Sequence, residues 1–324
     1  DYFAKDESGN FGYASNKGVG HGIGDGYWDC PSNPVVNMYT NMYYYKALVG
    51  MDYLERMAKS GRIAESGKTI TVKTADMRST ENYSETTESL AAREDRFVSR
   101  FREYFWNEDT GRFLLGYLDE NDAGVKAGAL DVKVDYGFTT YNQEAIQLGL
   151  ATEDQARSIM NWINGERTVA GDTADNSSKA KQIYYYTFAP RWTTKENTYQ
   201  FWFRFDGKKS GKYGWNKQVQ NGGTAAHCAY YDMVAENDVF GADAAFEKLL
   251  NVRKWYNDVK DAGGSGKNFY RAYYNKKGII LQGGASSGVL GLDYEFIEAT
   301  LLYTTIPETF FGLGSTEYNT LNIT

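Results

Sequence analysis

Apolar side chains return at helical spacing along most of this chain, and the stretches between those runs are rich in glycine, asparagine and serine. From Asn33-Pro34 onward, Val36, Tyr39, Tyr43, Ala47, Leu54 and Ala58 recur over about six turns, with Pro34 suited to a first turn because its missing N–H costs nothing there. After a polar break over 60–80, Leu90, Phe97, Val98, Phe101, Tyr104 and Phe105 mark a second amphipathic helix, closed by the turn in "WNEDTGRF" with Gly111. A third helix is predicted over about Thr140 to Leu150. A fourth starts at Thr152, whose hydroxyl caps while Gln155 reaches back, and it turns Ala156, Ile159, Met160 and Ile163 inward. Two more follow, roughly Thr224 to Glu236 and Ala242 to Lys260, and a last helix opens near Asp293.

Residues 1–33 lack lasting periodicity and read as loop. Between Gly165 and Asn221 the pattern dissolves into a ring-dense run, "YYYTFAPRWTTKENTYQFWFRF", for which strands and an ordered long loop are both open. Helix pairs separated by loops, with little strand signal and no βαβ alternation, predict an all-α toroid of helical hairpins. No repeat of fixed period stands out, which argues against a solenoid. At 324 residues the chain is read as one domain, 1–324, with a loop-rich opening segment.

Composition narrows the partners. Lys plus Arg number 35 against 42 Asp plus Glu, so the net charge is −7 and there is no basic surface for nucleic acid. Aromatic residues make up 16%, including 27 Tyr and 7 Trp. Rings with polar edges suit stacking on sugars, and they equally suit an aromatic-rich core. Cys30 and Cys228 are too few for a disulfide framework or a zinc site, and His21 and His227 are too separated to add one, so neither metal nor cofactor is expected. The longest apolar runs fall short of the roughly 20 residues of a membrane span. The chain opens at Asp1 without Met, from which a processed or trimmed terminus is expected, so the lack of a signal peptide decides nothing; a secreted or periplasmic location is only weakly favoured. Sequons stand at Asn82, Asn176 and Asn322. Oligomeric state is not legible.

In a toroid of helical hairpins the loops at one rim converge on a central pocket, so acids just before helices are the first candidates. They are Asp29 in "GDGYWDC", Asp135 in "VDYGFTTYNQEA", Asp172 or Asp175 in "GDTADNSS", and Asp293 with Glu295 in "LGLDYEF". Each fits an ordinary N-cap equally well. Asp29 differs in context, because a carboxyl beside Tyr27 and Trp28 is partly desolvated and has its pKa raised, as a general acid requires. Two carboxyls about 6.5–9.5 Å apart cleave a glycosidic bond with inversion, and a pair about 5–5.5 Å apart forms a covalent intermediate. Asp29 with Asp293 or Glu295 is such a pair, distant in sequence. Substrate-binding positions are expected at Tyr27, Trp28, Asp135, Asn142, Glu144, Arg191, Trp192, Gln220 and Asn221, from stacking rings and amides that fork onto hydroxyls. Arg191-Trp192 is equally consistent with a packing contact, and Asn221-Gly222-Gly223 with a turn. A nucleophile elbow, a P-loop and a dinucleotide fingerprint are missing, and "GVGHGIGDG" has no strand before it.

The motif order resembles the six-hairpin, (α/α)6-barrel glycoside hydrolases, nearest the trehalase and processing α-glucosidase I branch. It rests on Trp28-Asp29 before a long helix, then "WNEDTGRF", "DYGFTTYNQEAIQLGLATEDQA", "VQNGGTAAHCAYYDMVAENDVFGADAAFEKLL" and "LGLDYEFIEATLL", over roughly residues 24–314. The resemblance implies Asp29 as general acid, and a base from a late Glu-x-Tyr segment. Here "NFYRAYYNKKG" carries Arg271 and Ala272 where that Glu is expected. Three readings follow: the base lies at Asp293 or Glu295, it has been replaced at 272, or the chain holds sugars without cleaving them. A complete barrel of this type has twelve helices and the pattern supplies seven to nine, so hairpins are missing on the N-terminal side or lie within 166–220. The implied activity is inverting cleavage of an oligo- or polysaccharide. A polysaccharide lyase with a Tyr or His227 as base, a phosphorylase and a non-catalytic sugar-binding protein are the alternatives.

Overall fold

The computed structural model describes residues 3–5, 11–14, 34, 36–63, 70–73, 79–118, 132–172, 229–250, 310, 313–315 and 321–323. The chain divides into two compact units. The first comprises Asp1–Asn107, Phe113–Asp135 and Phe203–Gly207, and the second Glu108–Arg112, Tyr136–Trp202 and Lys208–Thr324. Among the described residues regular structure is mainly helical, with short antiparallel two-stranded hairpins between helices.

The first unit is built on α1 (Met38–Lys59) packed beside α2 (Thr87–Phe105). The periodicity places Pro34 in the first turn of α1, whereas the helix begins later. Asn37 is its N-cap: the extended backbone there lets Asn37 Oδ1 accept from the Thr40 N–H at 2.8 Å, while Asn37 Nδ2 donates to the Pro34 carbonyl. An asparagine satisfies one of the orphaned first-turn donors, which proline cannot do, so the cap wins over the proline as the start signal. The buried face of α1 also departs from the predicted stripe. Met38, Met42 and Leu48 point inward together with Asn41 and Asp52, while Tyr43 and Leu54 are 46% and 49% exposed.

In α2 four of the six expected positions are buried, while Val98 and Tyr104 are half-buried. Leu90, Phe97, Phe101 and Phe105 are buried one or two turns apart, and their rings form a ladder with Phe113, with centroids at 6.0, 4.8 and 5.3 Å. Each buried phenylalanine is worth about 2 kcal/mol of transfer free energy, so this ladder is the main apolar contribution of the unit. Thr86 caps α2 through a reciprocal box with Ser89. Inside the polar break, Thr71–Lys73 (β3) pairs with Thr80–Asn82 (β4). The first strands of the chain, Phe3–Lys5 (β1) and Phe11–Ala14 (β2), pair in the same antiparallel way.

After α2, Trp106–Asn107 (β5) and Arg112–Phe113 (β6) flank the turn that "WNEDTGRF" predicts. Gly116–Leu118 (β7) then pairs with Val132–Val134 (β8), and Leu115 is tied on both sides, its N–H to the Val134 carbonyl and its carbonyl to the Met38 N–H at 2.7 Å. Gly116 has φ +154°, and a Cβ added there would lie 2.4 Å from the Val36 carbonyl oxygen. Backbone cannot swing aside as a side chain can, so Gly116→Ala should cost roughly 1–3 kcal/mol in urea unfolding. A loss below a few tenths of a kcal/mol would contradict this close approach.

The second unit holds α3 (Thr139–Gln147), α4 (Glu153–Asn164) and α5 (Ala229–Phe240), all three in mutual contact, with helical residues 242–250 following α5. The Thr152–Gln155 capping box of α4 forms as predicted, and Ala156, Ile159, Met160 and Ile163 are buried with Trp162. Gly165 ends α4 in the left-handed conformation at φ +76°. The N-cap of α3 is Phe138, without a side-chain bond, so Asp135 is not its cap. The helix α5 runs on to Phe240, beyond the predicted end near Glu236, and its predicted start at Thr224 lies outside the described residues. Leu313–Ser315 (β9) and Leu321–Ile323 (β10) pair antiparallel near the end of the chain.

Candidate functional site

Most of the predicted site falls on Asp29, Tyr27, Trp28, Arg191, Trp192, Gln220, Asn221, Asp293 and Glu295, which lie outside the described residues. So do Asp175, Arg271, Ala272, both histidines and both cysteines. The described candidates are Asp135, Asn142, Glu144 and Asp172. Asp135 is half-buried between β8 and α3. Asn142 and Glu144 stand within α3 at 1% and 3% exposure, and Asn142 Nδ2 donates to the Phe138 carbonyl at 2.8 Å. That bond closes the first turn of a helix that lacks a side-chain cap.

Asp172 is held in a buried ion pair. Its Oδ2 and Oδ1 accept from Nη1 and Nη2 of Arg112 at 2.7 and 2.9 Å, and Oδ2 also accepts from Trp162 Nε1 at 3.3 Å. The two charged side chains are 1% and 2% exposed, and the guanidinium lies 4.4 Å from the centre of the Trp162 ring. A bidentate pair of this kind engages both oxygens of Asp172 in charge-assisted hydrogen bonds away from water. Next to it, Arg167 donates to three main-chain carbonyls, those of Ser158, Thr110 and Gly111, and so docks the turn before β6 onto the end of α4.

A second polar cluster was not anticipated from the sequence. Lys248 Nζ donates to both oxygens of Asp232, at 2.7 and 2.8 Å, and to Asn164 Oδ1 at 2.9 Å, and it pairs with Glu236 at 3.2 Å. Asn164 Nδ2 in turn donates to Glu236, and Gln143 Nε2 to Asp232 Oδ1 at 2.5 Å, which links α3, α4, α5 and residues 242–250 in one network. Burial pushes the Lys248 ammonium down, but the charges of Asp232 and Glu236 together with their hydrogen bonds outweigh it and hold the group above its usual range. The cluster ties the helices together through a buried charge and its hydrogen bonds, which fixes their register. The signal was present in "AYYDMVAENDVF", where Asp232 and Glu236 are four apart and so share one face of the helix.

Within the first unit an open groove of about 480 Å³ lies between the end of α1 and the start of α2, lined by Arg56, Lys59, Ser60, Thr87, Glu88 and Ala91. Its cations are engaged, Arg56 with Asp52 and Lys59 with Glu88. Among the described residues no group of three or more His, Cys, Asp or Glu could hold a metal ion, and no helix is long and apolar enough to cross a membrane.

Neither a family profile nor a curated protein sequence matches the chain. Among solved structures it is similar to neutral trehalase from Saccharomyces cerevisiae, at 14% identity over 86% of this chain and a TM-score of 0.34. It spans 41% of the length of that protein.

Proposed function

We propose that this chain is a glycoside hydrolase that cleaves an oligo- or polysaccharide with inversion, using paired carboxyls on a toroid of helical hairpins. The observation that carries the reading is the order of motifs in the sequence. A glycine-rich loop ending in Trp28-Asp29 precedes a long helix, "DYGFTTYNQEA" leads into α3, "QNGG" precedes α5, and an acidic pair, Asp293 and Glu295, closes the series.

In this mechanism Asp29 gives its proton to the leaving oxygen. Asp293 or Glu295 takes a proton from a water that attacks the opposite face of the sugar. Trp28, Trp192 and Tyr27 stack on sugar rings, while Arg191, Gln220, Asn221 and Asp135 hold hydroxyls. Asn142 and Glu144, in α3, complete the substrate-binding set.

Incubation with a panel of oligosaccharides, followed by proton NMR of the first-formed product, tests this. The expected result is a free reducing end whose anomeric configuration is opposite to that of the bond cleaved. An unsaturated, ultraviolet-absorbing product would establish a lyase, phosphate-dependent release of a sugar phosphate would establish a phosphorylase, and saturable binding without product would establish a sugar-binding protein. Any of the three overturns the proposal.

A further inference from the structure

The seam between α1 and α2 brings together two acids with no full neutralising partner. Tyr45 stacks on Phe97 with ring centroids 5.4 Å apart, and Lys59 Nζ donates to Glu88 at 3.0 Å. These two contacts require the helices to run antiparallel, and they place Asp52 and Glu94 opposite each other, between the stack and the ion pair. Asp52 Oδ2 accepts from Arg56 Nε at 2.6 Å, but its Oδ1 is buried without a hydrogen-bond partner, and so is Oε1 of Glu94. Two such oxygens, if both ionised, lose their hydration and repel each other. One proton between them replaces that repulsion with a charge-assisted O–H···O bond. The geometry points to a shared proton here: Asp52 and Glu94 form a carboxyl–carboxylate hydrogen bond that clasps α1 to α2 and opens when that proton is lost.

The surrounding charges agree. Burial raises the Glu94 carboxyl above the ordinary glutamate range; Asp52 raises it further, Arg56 on α1 opposes this, and Asp95 on α2 adds a smaller push upward. The Tyr45 hydroxyl on α1 is raised as well, by burial and then by Glu94 and Asp95, so it stays neutral while Glu94 titrates. A folded-state value raised above the unfolded one means the clasp is fully formed below the unfolded glutamate pKa of about 4.3 and is lost as pH rises through the folded value.

The test is a carbon-13 titration of glutamate-labelled full chain, with the Glu94 signal assigned by its disappearance in Glu94→Gln. Glu94 should titrate above the ordinary glutamate range, and Asp52→Asn should bring its midpoint down toward that range. Glu94→Gln, whose amide donates as the protonated acid does, should also remove the part of the thermal-stability loss that wild type shows as pH rises through the Glu94 midpoint. An ordinary midpoint, or a raised one that Asp52→Asn leaves unmoved, overturns the shared proton.

Discussion

Arg112→Met should destabilise the protein by about 3–5 kcal/mol in urea unfolding, because it removes the charge partner of a buried Asp172 carboxylate. Asp172→Leu should cost a similar amount for the opposite reason, stranding a guanidinium against the Trp162 ring in the unit interior. The pair as a whole is a different matter. Two charges withdrawn from water return most of their attraction as desolvation cost, so the double variant Arg112→Met, Asp172→Leu should recover much of the loss seen in either single variant. Single losses below about 1 kcal/mol would mean that water reaches the pair. A double variant as unstable as the sum of the singles would mean that the guanidinium works mainly by packing on the indole.

That ion pair also marks the limit of what the sequence reveals. Local signals were legible where their physics is local. Thr152 and Gln155 announce a helix start from within four residues, and the box forms. The apolar positions of α2 are aromatic and strictly periodic, and Leu90, Phe97, Phe101 and Phe105 point inward as the spacing requires. In α1 the same reasoning chose the wrong face. The stripe Tyr39, Tyr43, Ala47 and Leu54 is the more apolar one, but the helix buries a mixed face that includes Asn41, whose amide donates to the Asn37 carbonyl. A polar side chain satisfied within its own helix is cheap to bury, and periodicity counts it as exposed.

For the acids the difficulty is range. Nothing near Asp172 says that Arg112, sixty positions away, will take both its oxygens, so a loop acid before a helix reads as a catalytic candidate. Asp232, Glu236 and Lys248 are the converse case, charges whose shared network exists only once α3 and α4 are packed on them. Position in a loop is therefore a weak guide to an acid's task, and the charge partner that the fold supplies decides it.

The second large effect belongs to Asp29, and it bears on the chemistry. Asparagine has nearly the shape of aspartic acid and can still donate a hydrogen bond, but it has no proton to give a leaving oxygen. Asp29→Asn should therefore leave sugar binding and thermal stability close to wild type while lowering turnover about 100-fold or more, the usual scale of general-acid catalysis. Substrates with activated leaving groups should be affected least, because they depart without protonation. The decisive measurement is the rate of reducing-end release by wild type and Asp29→Asn side by side, at saturating oligosaccharide, with melting temperature recorded for both. Release by wild type that falls at least 100-fold in the variant, at unchanged melting temperature, is the predicted result; equal release by the two proteins would contradict the assignment of the acid and with it the proposed mechanism.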